Sequence, residues 1–243
     1  MSSDYTAERR TFGDHPSQFF DLYMPADPRG TIISIHGGYW RAKYGLDLNA
    51  PMAEHLASRG WLVANIEYRR VIEETINNTA GVWSEMSSDV LAAIDATPSA
   101  EGPTILLGHS AGGQLALWAA AQPSIDAQGV VALAPVTDLF LADGLELSNH
   151  ATKELFGVTA AEQPDVYLTA SPLHLLPTEV PQLVVHGQKD TDVPPEMAVE
   201  YVETAHLLKG DVTLESPSNV DHFHIIDPTH HVWRSIDQWV DQR

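Results

Sequence analysis

Cysteine is absent from the 243 residues, which removes disulfides, thiolate nucleophiles, iron–sulfur clusters and cysteine zinc sites together. Such a chain suits a reducing compartment, and the cytoplasm is the expected location. Basic residues are scarce. Thirteen lysines and arginines stand against 33 acids, a formal charge of −20, so the field around the chain repels phosphate backbones and anionic lipid heads. Nucleic acid and membrane surfaces are therefore not expected as partners. No run of roughly eighteen apolar residues is present to span a bilayer. The opening MSSDYTAERR carries acids and no apolar centre, so no secretory leader is expected.

With 44% hydrophobic and 19% charged residues and no low-complexity tract, the composition is that of a globular protein, and the length suits a single domain over 1–243. Short β-branched runs at 31–35, 61–66, 104–108, 129–134, 182–187 and 211–216 alternate with stretches of helical spacing. That alternation predicts an α/β fold, a mostly parallel sheet covered by helices. Several runs are apolar at every position, as a sheet buried on both faces requires. The segment QFFDLYMP alternates and ends at Pro25, which reads as an antiparallel edge strand. Helices are predicted from Asn49, a candidate cap with Pro51 in the first turn, to Gly60; from Ser84 to Pro98; from Pro194 and Pro195 to Gly210; and from Thr229 to Gln242. Between 138 and 180, Asp, Gly, Asn and Pro interrupt short apolar clusters, so a short irregular cap or insertion over the sheet is expected there.

The sharpest chemical signal is Gly108-His109-Ser110-Ala111-Gly112, a G-x-S-x-G element between the run TILLG and the apolar stretch QLALWAAA. On a tight strand-to-helix turn the serine hydroxyl stands clear of the sheet, and the helix N-terminus behind it favours developing negative charge. A packing turn rich in glycine is the plain alternative. A serine hydroxyl is a poor nucleophile at neutral pH, so it needs a base in reach and a carboxylate to hold that base in the right tautomer. Two later loops offer them. Asp190 and Asp192 follow the run QLVVHG, and His222 and His224 follow DVTLES, each just past a strand's carboxyl end. Asp190 is preferred to Asp192, which suits bracing the turn before Val193-Pro194. His222 is preferred to His224 because an acid precedes it and an aromatic residue follows, although an extended chain would point both the same way. The order serine, acid, histidine is that of α/β-hydrolases rather than of the chymotrypsin or subtilisin arrangements. A fourth element, His36-Gly37-Gly38-Tyr39-Trp40, follows the run TIISI; a glycine pair lets backbone N–H groups approach a carbonyl oxygen on which charge develops.

The combination HGGYW, GHSAGG, SPLHLLP followed by VPQLVVHGQKD, and NVDHFHIID resembles the α/β-hydrolase branch containing arylformamidase, also called kynurenine formamidase, over most of the chain from Thr31 onward. HGGxW is the discriminating motif, since many esterases and lipases carry HGGG. The resemblance implies Ser110 as nucleophile, Asp190 as orienting acid and His222 as base, with Gly37, Gly38 and Ala111 forming the oxyanion hole. It implies Tyr39 and Trp40 as walls of the acyl pocket, and no cofactor. Its substrate would be a small acyl amide or ester, foremost N-formylkynurenine, with general short-chain carboxylesterase activity as the alternative. Arg41, Arg69 and Arg70 are the candidates to hold a substrate carboxylate.

Two other classes compete. His222, His224, His230, His231 and Asp190 or Asp192 can be drawn as ligands of a divalent ion, but no H-E-x-x-H is present and the serine element would be idle. A non-catalytic binding protein on the same fold would leave serine, acid, histidine and double glycine without a role. A homodimer is compatible with this reading, and no feature of the sequence requires one.

Overall fold

The six β-branched runs become six neighbouring parallel strands: β3 (Thr31–Ile35), β4 (Leu62–Ile66), β5 (Thr104–His109), β6 (Gly129–Leu133), β7 (Gln182–Val185) and β8 (Val212–Glu215). The structure is a computed structural model describing residues 5–72 and 81–243, so the first four residues of the segment read for a leader lie outside the described residues. The sheet is completed by β2 (Phe19–Pro25), antiparallel to β4, and β1 (Tyr5–Thr11), antiparallel to β2. Its order is β1-β2-β4-β3-β5-β6-β7-β8. The segment QFFDLYMP is thus antiparallel as expected but is not the edge. Strand β1 lies outside it, with six of its seven residues exposed. Ladder bonds and the paired contacts of Arg9 with Asp21, at 2.7 and 2.9 Å, hold β1 in place, and neither leaves an apolar pattern to read.

The strands are buried on both faces, and the period of two assigns each residue to a layer. Ile33, Ile35, Leu106, Val130 and Ala132 pack with α2 (Trp83–Ala96), α3 (Ala111–Ala120) and α7 (Glu196–Leu207). Ile32, Val63, Ile105, Leu107, Val131 and Leu133 pack with α1 (Ala50–Ser58) and α8 (Trp233–Val240). Each such Val, Leu or Ile side chain removed from water contributes about 1.5 to 3 kcal/mol. Helix α3 is buried at all ten positions, which explains its mostly small and apolar sequence; its one polar side chain, Gln114, is hydrogen-bonded to Trp40 Nε1–H and Ala170 O.

Three expectations need correction. Residues 138–180 are largely helical rather than irregular: α4 (Leu139–Gly144), α5 (Leu147–Phe156) and α6 (Pro164–Ala170) lie over the sheet, followed by a 3-10 turn at Pro172–Leu175. Asp138 caps α4 through the N–H groups of Phe140 and Leu141, while left-handed residues at Ser148, Asn149 and His150 break the α5 pattern. Asn49 does not cap α1; its own backbone is helical, and its side chain donates to Ser34 Oγ at 2.9 Å inside the protein. Helices α7 and α8 are shorter than read, and α8 begins at Trp233 because 229–232 form turns.

Candidate active site

Four loops past the carboxyl ends of β3, β5, β7 and β8 carry the residues that the motifs singled out. Ser110 joins β5 to α3 with φ 56° and ψ −120°, a conformation that L-residues rarely adopt and that functional turns store. It is pinned by its N–H to Leu133 O at 2.8 Å and by its carbonyl, which accepts from Gln114 N at 3.0 Å. The flanking glycines are required by contact. A Cβ on Gly112 would lie 2.0 Å from Ile35 O, and one on Gly108 2.1 Å from Gly112 O. The serine turn therefore closes directly against the loop that follows β3.

In that loop Gly38 has φ 110°, followed by two left-handed residues, Tyr39 and Trp40, at 48° and 59°. A Cβ on Gly37 would meet Ser110 Cβ at 2.9 Å, so the glycine backbone runs beside the serine. Among the described residues neither Gly38 N–H nor Tyr39 N–H has an acceptor, and Ala111, as the first residue of α3, has no intrahelical acceptor. These are the donors an oxyanion would need. The loop is fixed by His36. Its ring contacts Gly37 O and Glu67 Oε1, each at 2.8 Å, and stacks on Tyr68, whose hydroxyl donates to His36 O at 2.7 Å. Burial pushes the Glu67 carboxyl up, but the His36 bond, Arg70 and the Tyr68 N–H outweigh it and hold it below the usual value.

Of Asp190 and Asp192, it is Asp190 whose carboxylate meets the His222 ring. His222 Nδ1–H donates to Asp190 Oδ2 at 2.6 Å, and Asp190 Oδ1 accepts from the N–H groups of Asp192 and Val193, both at 2.9 Å. Asp192 contributes backbone to that arrangement and no side chain. His186, unremarked in the sequence, shares its Nε2–H between Asp190 Oδ2 and Val193 O, each at 3.1 Å. Burial raises the Asp190 carboxyl, but the two imidazoles and the Val193 N–H bring it well below the ordinary carboxylate range, so it is an anion throughout the neutral region. His224 is turned away and paired with exposed Asp221 at 2.9 Å. Among the described residues no group of three or more His, Asp or Glu converges as a metal ion would require.

His109 was read only as part of the serine motif. Its Nε2–H donates to His222 O at 2.9 Å, tying the nucleophile turn to the histidine loop, while Nδ1 is buried with no partner among the described residues. Burial, and next the His222 ring beside it, push this imidazole down from 6.5 to about 3. The unfolded chain binds a proton at His109 below pH 6.5 and the folded chain does not until about 3, so stability is full above the first value and falls toward the second. The expected loss is about 1 kcal/mol per pH unit, or about 2 kcal/mol between pH 6.5 and 4.5. Urea unfolding of wild type and His109→Gln at both pH values checks this; the variant should lose that part of the slope.

Tyr39 and Trp40 part company. Tyr39 lines a cavity with Ser110, His109, His222, Tyr44 and Phe223, and its hydroxyl donates to Asp192 O. Trp40, expected beside it, is fully buried in the core with its Nε1–H on Gln114 Oε1 at 3.1 Å. The second left-handed residue turns the chain inward, so Trp40 supports the loop from behind. Tyr44 and Leu48 also line the cavity; neither carried a sequence signal. The cavity holds about 50 Å³, room for a few water-sized groups. A wider groove of about 580 Å³ beside Asp95 and Asp126 contains no nucleophile–base pair.

The three arginines proposed for a substrate carboxylate are engaged elsewhere. Arg41 Nε donates to Glu154 at 2.6 Å and its amino groups to Ser148. Arg69 binds Asp89 through two nitrogens, at 2.7 and 2.8 Å. Arg70 lies 3.0 Å from Glu67 and donates to Tyr44 O.

Sheet order, the strained serine after β5 and the acid and histidine after β7 and β8 define the α/β-hydrolase fold. Within that superfamily, residues 20–204 match the BD-FAE family, and the chain belongs to it. It is 25% identical to Esterase LipC of Mycobacterium tuberculosis over 92% of its own length, and spans 61% of the length of LipC. It is 24% identical to the kynurenine formamidase of Salmo salar, covering 89% of this chain and 74% of that one. Among solved structures, a truncated carbohydrate esterase from gut microbiota superposes with a TM-score of 0.77 at 19% identity, over 100% of this chain and 98% of the other; that likeness carries the fold alone. Among the described residues no helix is long and apolar enough to cross a membrane.

Proposed function

We propose that the protein is a serine carboxylesterase acting on short acyl esters, with Ser110 as nucleophile, His222 as base, Asp190 as orienting acid and the N–H groups of Gly38, Tyr39 and Ala111 as the oxyanion hole. The observation that carries the reading is the 2.6 Å bond from His222 Nδ1 to buried Asp190, with the same imidazole lining one cavity with Ser110. Ser110 Oγ attacks the carbonyl carbon as its proton passes to His222 Nε2. The tetrahedral oxyanion collapses, the proton goes to the leaving alcohol, and an acyl-enzyme remains. Water repeats the sequence and releases the carboxylic acid.

The formamidase reading drawn from HGGxW is the second choice. The formamidase likeness is matched by that to an esterase. The three arginines suggested for an amino-acid carboxylate are paired with other groups, and no Lys or Arg is among the residues lining the cavity. The acyl side is constrained by the cavity's about 50 Å³. The expected result is that p-nitrophenyl acetate is turned over at least about tenfold better in kcat/KM than p-nitrophenyl hexanoate, and much better than N-formylkynurenine. Comparable turnover of acetate and hexanoate would contradict the tight acyl site, and preferred turnover of N-formylkynurenine would restore the formamidase reading.

A further inference from the structure

The loop that supplies Asp190 also places a second carboxylate at the site. Asp192 lines the cavity with Ser110 and His222, is exposed, and among the described residues its side chain has no hydrogen-bond or ion-pair partner; only its N–H and carbonyl are used, by Asp190 Oδ1 and the Tyr39 hydroxyl. The charge lies close enough to act on the site. Tyr39, already pushed up by burial, is pushed further by the Asp192 carboxylate. Arg41, which pulls Tyr39 the other way, already pairs with Glu154. Lys43 lies over the Tyr44 ring, and no Lys or Arg is among the cavity's lining residues. The remaining wall is apolar or aromatic: Leu48, Tyr44 and the half-exposed Phe223.

We propose that Asp192 is a specificity residue that excludes anionic esters and directs the site to uncharged or cationic substrates. This rests on the esterase reading and narrows its substrate class. One fixed charge several ångströms from a substrate carboxylate acts through a medium between protein and water, which sets the discrimination at about tenfold.

The test uses the full chain and three aryl acetates differing only in a ring substituent: carboxylate, methyl and trimethylammonium. The readout is the ratio of kcat/KM for the anionic ester to that for the methyl ester, compared between proteins so that the esters' intrinsic reactivities cancel. Asp192→Asn keeps the backbone bonds and is expected to raise this ratio about tenfold, and to lower the corresponding cationic-to-methyl ratio. Asp126→Asn removes one charge beyond the far end of α3, in the loop after Ala120, and should leave both ratios in place, separating a local effect from the net charge. Added salt should raise the anionic ratio in wild type more than in Asp192→Asn. Equal ratios in wild type and Asp192→Asn, with the methyl ester still hydrolysed, would overturn the proposal alone. No hydrolysis of any of the three by wild type would overturn the esterase reading with it.

Discussion

Replacing Ser110 by alanine is expected to lower kcat on p-nitrophenyl acetate by roughly 10⁵-fold while leaving the thermal midpoint within a few degrees of wild type. The two halves come from different atoms. What holds the turn is backbone, the Ser110 N–H on Leu133 O and its carbonyl on Gln114 N, together with glycines that admit no Cβ; alanine keeps all of it. What chemistry needs is the hydroxyl alone, and without it no acyl-enzyme can form. Residual turnover above background would report the backbone donors beside Gly38 and Ala111. Single-turnover assays beside a melting curve check both halves, and a variant that lost activity only by unfolding would show in the second.

Asp190→Asn is expected to cost about 10⁴-fold in kcat. In the wild type, Oδ2 accepts from His222 Nδ1–H and from His186 Nε2–H, while Oδ1 accepts two backbone N–H groups. An asparagine must keep its oxygen on the backbone side, which turns its NH₂ toward His222. The imidazole then accepts at Nδ1 and carries its proton on Nε2, the wrong nitrogen to receive one from Ser110. The variant also loses a linkage: a carboxyl held below its unfolded value stabilises the fold above about pH 4 and ceases to as acid protonates it. Its acid unfolding limb should be flatter than wild type below pH 4, measured by fluorescence against pH.

Much of this architecture is legible in the sequence because it is local. Strands β3 to β8 announce themselves by β-branched runs that a sheet covered on both faces demands, and Gly108, Ser110 and Gly112 form a motif whose spacing is its mechanism. What stayed hidden depends on long-range geometry. Strand β1 is exposed and held by ladder bonds, so it has no apolar signature. The helices between 139 and 170 are short and interrupted by left-handed residues, which breaks the 3.6-residue period. Asp190 and Asp192, like His222 and His224, differ in sequence by two positions and in the fold by everything: two backbone N–H groups converge on Asp190, and Asp221 draws His224 outward. Trp40 followed Tyr39 in the motif, yet the turn after Tyr39 sends it into the core. His109 bridges two loops and is recognisable only once those loops are adjacent, while His186 reaches Asp190 and Val193 of its own loop, a contact that only the folded turn makes.

The most direct measurement is the mass of the intact protein and of its peptides after brief exposure to a fluorophosphonate, in wild type and in His222→Ala. The account expects one adduct per chain, on Ser110, formed at least about a hundredfold faster in wild type than in the variant. Labelling at another residue, no labelling of the folded wild type, or equal rates in the two proteins would contradict it.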